Sequence, residues 1–146
     1  MLYGPPGSGK TRIAERLGHG MTSRLHIEAA NAEWTYQDVV GGYTPSSDGG
    51  FKPKRGVLTK AAACCESSLE EHNHPDWLVI DELNRANMDE AFGDVFTLLD
   101  LDHRSDSDIT YADGRSQSVP LSFRILGTMN KEDQAQLFSL GYAFRR

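Results

Sequence analysis

The chain has 146 residues, 38% of them hydrophobic and 25% charged, with a formal net charge of −6 at pH 7. This is the composition of an ordinary globular domain with enough apolar material for one core, and the acidic balance argues against broad electrostatic attraction to nucleic acid. No apolar run approaches the ~20 residues that cross a bilayer, and the N-terminus lacks the basic-then-apolar pattern of a signal peptide, so a cytoplasmic location away from membranes is expected.

The chain starts with Met1-Leu2-Tyr3, an apolar stub of strand, and continues Gly4-Pro5-Pro6-Gly7-Ser8-Gly9-Lys10-Thr11. That segment fits G-x-x-x-x-G-K-[ST], a loop that grips the phosphates of a nucleoside triphosphate. Its glycines let the backbone turn tightly and aim successive N–H groups inward, where the following helix begins, so an anion-binding cup forms. Lys10 is expected to reach the β and γ phosphates, and the Thr11 hydroxyl to hold the Mg²⁺ that bridges them. The candidate nucleotide contacts run from Gly4, Pro5, Pro6, Gly7, Ser8 and Gly9 through Lys10 and Thr11 to Arg12, which opens the helix-like stretch Arg12-Ile13-Ala14-Glu15-Arg16-Leu17.

Leu25 to Ala30 is the candidate second strand. Between Glu33 and Gly56 the sequence turns rich in Gly, Pro, Ser and aromatics; it reads as a long ordered loop, because Trp34, Tyr36, Tyr43 and Phe51 need somewhere to pack. Within it, Lys52-Pro53-Lys54-Arg55 reads as a solvated loop whose charge is local. Val57 to Glu71 has helical period, with Leu58, Ala61, Ala62, Cys65 and Leu69 along one side. The adjacent Cys64 and Cys65 suit small buried residues better than a disulfide framework or a metal site, and the nearby His72 and His74 bring no second pair of ligands for zinc.

Trp77-Leu78-Val79-Ile80 reads as a buried strand that ends in two carboxylates, Asp81 and Glu82. In an open parallel sheet, ligands sit beyond the carboxyl ends of the strands, so both acids are expected near the phosphate loop. Asp81, first off the strand, is placed to hold the Mg²⁺ shell; Glu82 can orient the attacking water and take its proton. Asn87 is the expected cap of a helix to about Leu101, with Glu90 in capping-box spacing and Met88, Phe92, Val95, Phe96 and Leu99 facing the core. Asp113-Gly114 marks a hairpin turn, and Phe123 to Met129 supplies another central strand. Asn130 comes directly after that strand, and its neutral amide can donate to the γ phosphate and accept from the water without adding charge. Apolar strands alternating with helical stretches predict an α/β fold: three layers around a central, mostly parallel sheet.

The ordered set Gly-Pro-Pro-Gly-Ser-Gly-Lys-Thr, Ile80-Asp81-Glu82-Leu83-Asn84-Arg85-Ala86-Asn87 and Gly127-Thr128-Met129-Asn130 resembles AAA+ NTPases of the P-loop class, specifically the dynein-related branch that contains McrB-like restriction motors. The segment from Trp34 to Tyr43 is similar to the aromatic-acidic stretch after the second strand in McrB-like proteins, and Ala91-Phe92-Gly93-Asp94 continues past the acid pair in their manner. The resemblance implies that Lys10 and Thr11 are Walker A, Asp81 and Glu82 Walker B, and Asn130 sensor 1. It also implies an arginine finger at Arg145 or Arg146, acting on a neighbouring subunit's phosphates, with Arg85 a further interface candidate.

The same resemblance implies a ring-forming motor, a hexamer, that hydrolyses ATP or GTP with Mg²⁺ and works on a nuclease or client-protein partner, with DNA contact by analogy alone. After Asn130 the family usually reads Thr-Ala-Asp-Arg, whereas this chain reads Lys131-Glu132-Asp133-Gln134, so the base preference is left open. Three readings stand: the motor of a modification-dependent DNA restriction system, a MoxR-type chaperone remodelling a protein or metalloenzyme client, and a nucleotide-gated scaffold without useful turnover. The ends read as cut, and residues 1–146 are expected to be one nucleotide-binding core truncated at both termini, with the family's helical lid beyond it.

Overall fold

The computed structural model describes residues 1–105, 107–111 and 114–130. In chain order the elements are β1 (Leu2–Gly4), α1 (Lys10–His19), β2 (Leu25–Ala29), α2 (Tyr36–Val39), β3 (Gly41–Pro45), β4 (Phe51–Arg55), α3 (Val57–His72) and β5 (Trp77–Asp81). Then come a 3₁₀ turn at Leu83–Arg85, α4 (Met88–Phe92), a 3₁₀ stretch at Gly93–Leu99, α5 (Leu101–Arg104), β6 (Ile109–Thr110), β7 (Ser116–Gln117) and β8 (Ile125–Asn130).

Four strands form one all-parallel sheet in the order β1-β8-β5-β2. Strand β5 alternates between two buried layers. Leu78 and Ile80 join Leu58, Ala61 and Cys65 of α3 in the main core, whereas Val79 is buried outside that cluster, as is Ala14 of α1. A strand covered on both faces has no polar side to show, which is why Trp77 to Ile80 carries no alternation in its sequence. Burial also pushes the Cys65 thiol up from its ordinary pKa, in keeping with a small packing residue.

Two expectations are corrected. The stretch from Glu33 to Gly56 is no plain loop: it holds α2 and the antiparallel hairpin β3–β4, paired from Gly41↔Arg55 to Pro45↔Phe51. Of its four aromatics only Trp34 is buried; Tyr36, Tyr43 and Phe51 are 38%, 44% and 74% exposed. The basic run is likewise strand β4, although all five of its residues are exposed, as a solvated segment should be.

The single helix expected from Asn87 to Leu101 is instead three short pieces. Extended backbone at Asp100 makes the second break, and Gly93 makes the first, with φ 50° and ψ −134°, a conformation that a side-chain-bearing residue rarely adopts. The Tyr36 ring lies against it, so that a Cβ built there would stand 3.3 Å from Tyr36 Cδ2. The predicted apolar stripe still packs inward, with Met88, Phe92 and Val95 buried and Phe96 and Leu99 packed against the core. The side chain of Asn87 donates to Glu90 Oε2 at 3.3 Å and does not cap the backbone, while Thr35 N–H and Oγ1 donate to Asp38 Oδ2 at 3.0 and 2.8 Å to fasten α2.

The hairpin predicted at Asp113-Gly114 exists as β6–β7, with Gly114 at φ 80°; Asp113 lies outside the described residues. Among the described residues, no helix is long and apolar enough to cross a membrane.

Candidate active site

Strands β1, β8 and β5 end side by side, and their carboxyl ends carry the polar groups singled out from the sequence. Gly4 of β1 is level with Asn130 of β8, and Asp81 closes β5 one strand further on. Between β1 and α1, the loop turns through Gly7 (φ 73°) and Gly9 (φ 80°), both in the left-handed region that costs a larger residue roughly 1–2 kcal/mol. Because the chain turns there, Gly9 O accepts the first helical bond, from Ile13 N–H at 2.9 Å, and among the described residues no side chain caps α1. The N-terminal N–H groups of a ten-residue helix are left for an anion. Pro5, Pro6, Gly7, Ser8, Gly9 and Arg12 are exposed around this end, and Ser8, Gly9 and Arg12 border a hollow of about 270 Å³.

Lys10 folds back over its own loop. Its ammonium donates to Gly4 O at 3.1 Å, Pro5 O at 2.9 Å and Asn130 Oδ1 at 2.9 Å. Asn130 turns its Nδ2 to Glu82 Oε1 at 3.1 Å, and Arg85 pairs with Glu82 Oε2 at 2.9 Å. A cation on one side and a carboxylate on the other dictate the orientation of the Asn130 amide. The result is a continuous polar chain Lys10–Asn130–Glu82–Arg85.

A second branch surrounds Asp81. Its Oδ1 accepts from Thr11 Oγ1 at 2.7 Å and also from Thr128 Oγ1. The Thr128 oxygen in turn accepts the Glu82 N–H at 3.0 Å, so one hydroxyl links the two neighbouring acids. Glu82 itself has φ 53° and ψ 45°, left-handed for a residue that is not glycine. Strain of about 1–3 kcal/mol is the usual cost, and here it is borne where the backbone leaves β5 and must aim a carboxylate sideways at Asn130.

The structure therefore brings Lys10, Thr11, Asp81, Glu82 and Asn130 together. Arg145 and Arg146 lie outside the described residues, and Arg85, an interface candidate on sequence grounds, contacts Glu82 within the chain. Thr128 also belongs to the network; it stands in the Gly127-to-Asn130 string singled out from the sequence, but that string gives it no role. It is fully buried, and its one signal of a role is a hydroxyl in the otherwise apolar run Ile125 to Met129. The hard oxygen donors of Thr11 and Asp81 stand together at hydrogen-bond distance, which suits an octahedral Mg²⁺ in chemistry. As arranged, the site can hold polyphosphate on the loop and present a carboxylate and an amide to a water beside it.

Comparison with known proteins gives the chain its family. The sequence matches the AAA domain (dynein-related subfamily) over residues 1–146. It is 33% identical over 156 aligned positions to the type IV methyl-directed restriction enzyme EcoKMcrB subunit of Escherichia coli, covering all of this chain and 33% of that protein. It is 36% identical over 193 positions to the type II restriction enzyme BsuMI component YdiS of Bacillus subtilis, covering all of this chain and 54% of that one. The chain thus spans between a third and about half the length of these curated relatives. The fold is similar to that of a solved candidate ATPase from Cytophaga hutchinsonii, with a TM-score of 0.53 and 21% identity over 93% of this chain and 37% of that one. Phosphate loop, acid pair and parallel sheet coincide with a match that runs the whole length of the sequence, and the chain belongs to the AAA family of nucleotide-binding ATPase domains, in its dynein-related subfamily.

Proposed function

We propose that this chain is the catalytic core of a Mg²⁺-dependent nucleoside triphosphatase whose turnover drives a ring-shaped oligomeric motor, a hexamer in a DNA restriction system. The observation that carries the reading is the polar chain from Lys10 through Asn130 to Glu82, which joins the phosphate loop to the acid pair without a gap. In this reading a nucleotide enters by exchange. Its β and γ phosphate oxygens replace Gly4 O, Pro5 O and Asn130 Oδ1 as acceptors for Lys10, while the N–H groups of the loop and of α1 take the remaining charge. Thr11 and Asp81 hold the Mg²⁺, which when bound offsets charge on the phosphates.

Release of Asn130 from Lys10 frees its amide to position a water against the γ phosphate. Glu82, the base, takes a proton from that water as its oxygen bonds to phosphorus and the bridging oxygen leaves with the nucleoside diphosphate. Arg85 keeps the carboxylate aimed, and one of Arg145 and Arg146 is the finger supplied to the neighbouring protomer. Support for a motor working with partner subunits comes from the relatives, which are described as a subunit and a component of restriction enzymes.

The test is phosphate release with Mg²⁺ and either ATP or GTP, beside equilibrium binding of the same nucleotides. Glu82→Gln is expected to bind nucleotide as the wild type does and to lose about 10²–10⁴-fold in turnover. Turnover that survives the change would remove Glu82 from the role of base. GTP preference points to the McrB-like motor, and ATP preference to the wider remodelling class.

A further inference from the structure

At the opposite end of the same sheet lies a second cluster that the nucleotide chemistry does not use. His26 sits near the start of β2, Asp76 immediately precedes β5, and Cys64 projects from α3. One ligand atom from each lies within 4.8 Å of the others, and His26 Nε2 is 3.0 Å from Asp76 Oδ2. Asp76 is only 1% exposed as a residue, and its other carboxylate oxygen, Oδ1, is buried with no hydrogen-bond partner among the described residues. A buried carboxylate oxygen left without a donor is a costly arrangement, because it has given up water and received nothing.

We propose that His26, Cys64 and Asp76 form a binding site for a zinc-type divalent ion, with the fourth coordination position open to water. The donor set selects the metal. Thiolate and imidazole favour a borderline-soft ion and disfavour Mg²⁺ and Ca²⁺, which want oxygen alone. Around a tetrahedral ion with bonds of ~2.0–2.3 Å, donor atoms stand about 3.3–3.7 Å apart, so the trio needs only a modest side-chain adjustment to close. Binding replaces the thiol proton of Cys64 with the metal and releases that proton to solvent. The metal would also give Asp76 Oδ1 the partner that it lacks among the described residues.

Access exists. A cavity of about 360 Å³ opens on the site, lined by Cys64 and Asp76 together with Arg24, Arg55, Glu71 and His72. The two guanidinium groups on its rim are the charges that oppose a cation there, and the thiolate and carboxylate ligands answer them. None of these residues belongs to the nucleotide network, which lies past the far end of β5, roughly 16 Å along the strand. A bound ion would tie α3 to the amino-terminal edges of β2 and β5.

The experiment is titration of the metal-free, reduced full chain with Co²⁺ alone, read by absorption, and then competition with Zn²⁺. One equivalent is expected to produce a thiolate-to-cobalt charge-transfer band and the strong visible bands of tetrahedral cobalt, and Zn²⁺ to displace both. An oxygen-lined Mg²⁺ site that takes up cobalt gives no thiolate band, so the nucleotide site cannot imitate this result. Cys64→Ser should abolish the charge-transfer band, and His26→Gln should weaken binding at least about tenfold. Zn²⁺ should raise the melting temperature of the wild type and leave that of Cys64→Ser where it was. The proposal is overturned by the absence of a thiolate band at stoichiometric cobalt, or by a band that survives Cys64→Ser.

Discussion

Two aspartates bracket strand β5, and they are treated in opposite ways. Asp81, at the carboxyl end, is half-buried, and its Oδ1 accepts from both Thr11 and Thr128. Asp76, at the amino end, is nearly sealed from solvent, yet among the described residues its carboxylate meets His26 at one oxygen and no hydrogen-bond partner at the other, which is buried. The same residue type at the two ends of one strand thus finishes in a satisfied network in one case and an unfilled demand in the other. Ligands are to be sought differently at the two ends: a satisfied polar network will exchange partners, whereas an unsatisfied group acquires one.

That contrast can be broken from the satisfied end first. Lys10→Ala removes the cation that spans the loop and β8, and nucleotide affinity is expected to fall about 10–100-fold, the worth of a charged hydrogen-bonding group. Equilibrium binding measures it, and unchanged affinity would mean that the loop amides alone hold the phosphates.

Thr128→Val sharpens the comparison more directly, since it leaves Asp81 with fewer donors and makes it resemble Asp76. The change keeps the volume but also orphans the Glu82 N–H, so denaturant unfolding should report a loss of about 1–3 kcal/mol. No loss would show that water replaces the hydroxyl at no cost.

The smallest effect belongs to a third aspartate, Asp38, whose carboxyl is held below its ordinary pKa by the Thr35 N–H and hydroxyl. A depressed folded-state value contributes stability above the unfolded pKa of about 3.9 and loses it as pH falls through the folded value. Partly buried and screened by solvent, it should account for only roughly 0.3 kcal/mol. The stability difference between wild type and Asp38→Asn is expected to shrink below about pH 4, and a difference that grew there would reverse the sign assigned to the cap.

Legibility in the sequence tracks locality. The phosphate loop and the acid pair are contiguous strings, and buried strands such as β5 declare themselves as unbroken apolar runs, so the α/β class and the candidate site can be read directly. The hairpin β3–β4 cannot, because β4 is exposed along its length and β3 is at most half-buried, so strands with Gly, Pro and Ser around them carry no apolar run. The helix after Asn87 reads as continuous because its apolar period runs through Gly93 to Leu99, and backbone angles at Gly93 and Asp100, which the period does not reveal, break it. Thr128 is legible as part of the Gly127-to-Asn130 string, but its link to Asp81 and the Glu82 N–H is not, since it depends on how β8 lies beside β5. His26 and Asp76 are 50 positions apart, a pairing that only the parallel register of β2 with β5 creates.

The order of strands in the sheet also bears on folding time. Strand β8 lies between β1 and β5, yet it is the last of the four to be synthesised, and Asn130 is its final residue. A chain that has emerged only as far as β5 therefore presents a vacant slot flanked by two unpaired strand edges, the form of surface that recruits other chains. Closing the slot requires contacts between residues more than a hundred positions apart, such as Gly4 with Asn130, and such closures are slow. The strand that completes the polar network is the same one that seals the sheet, so the network and protection from aggregation arrive in a single late step.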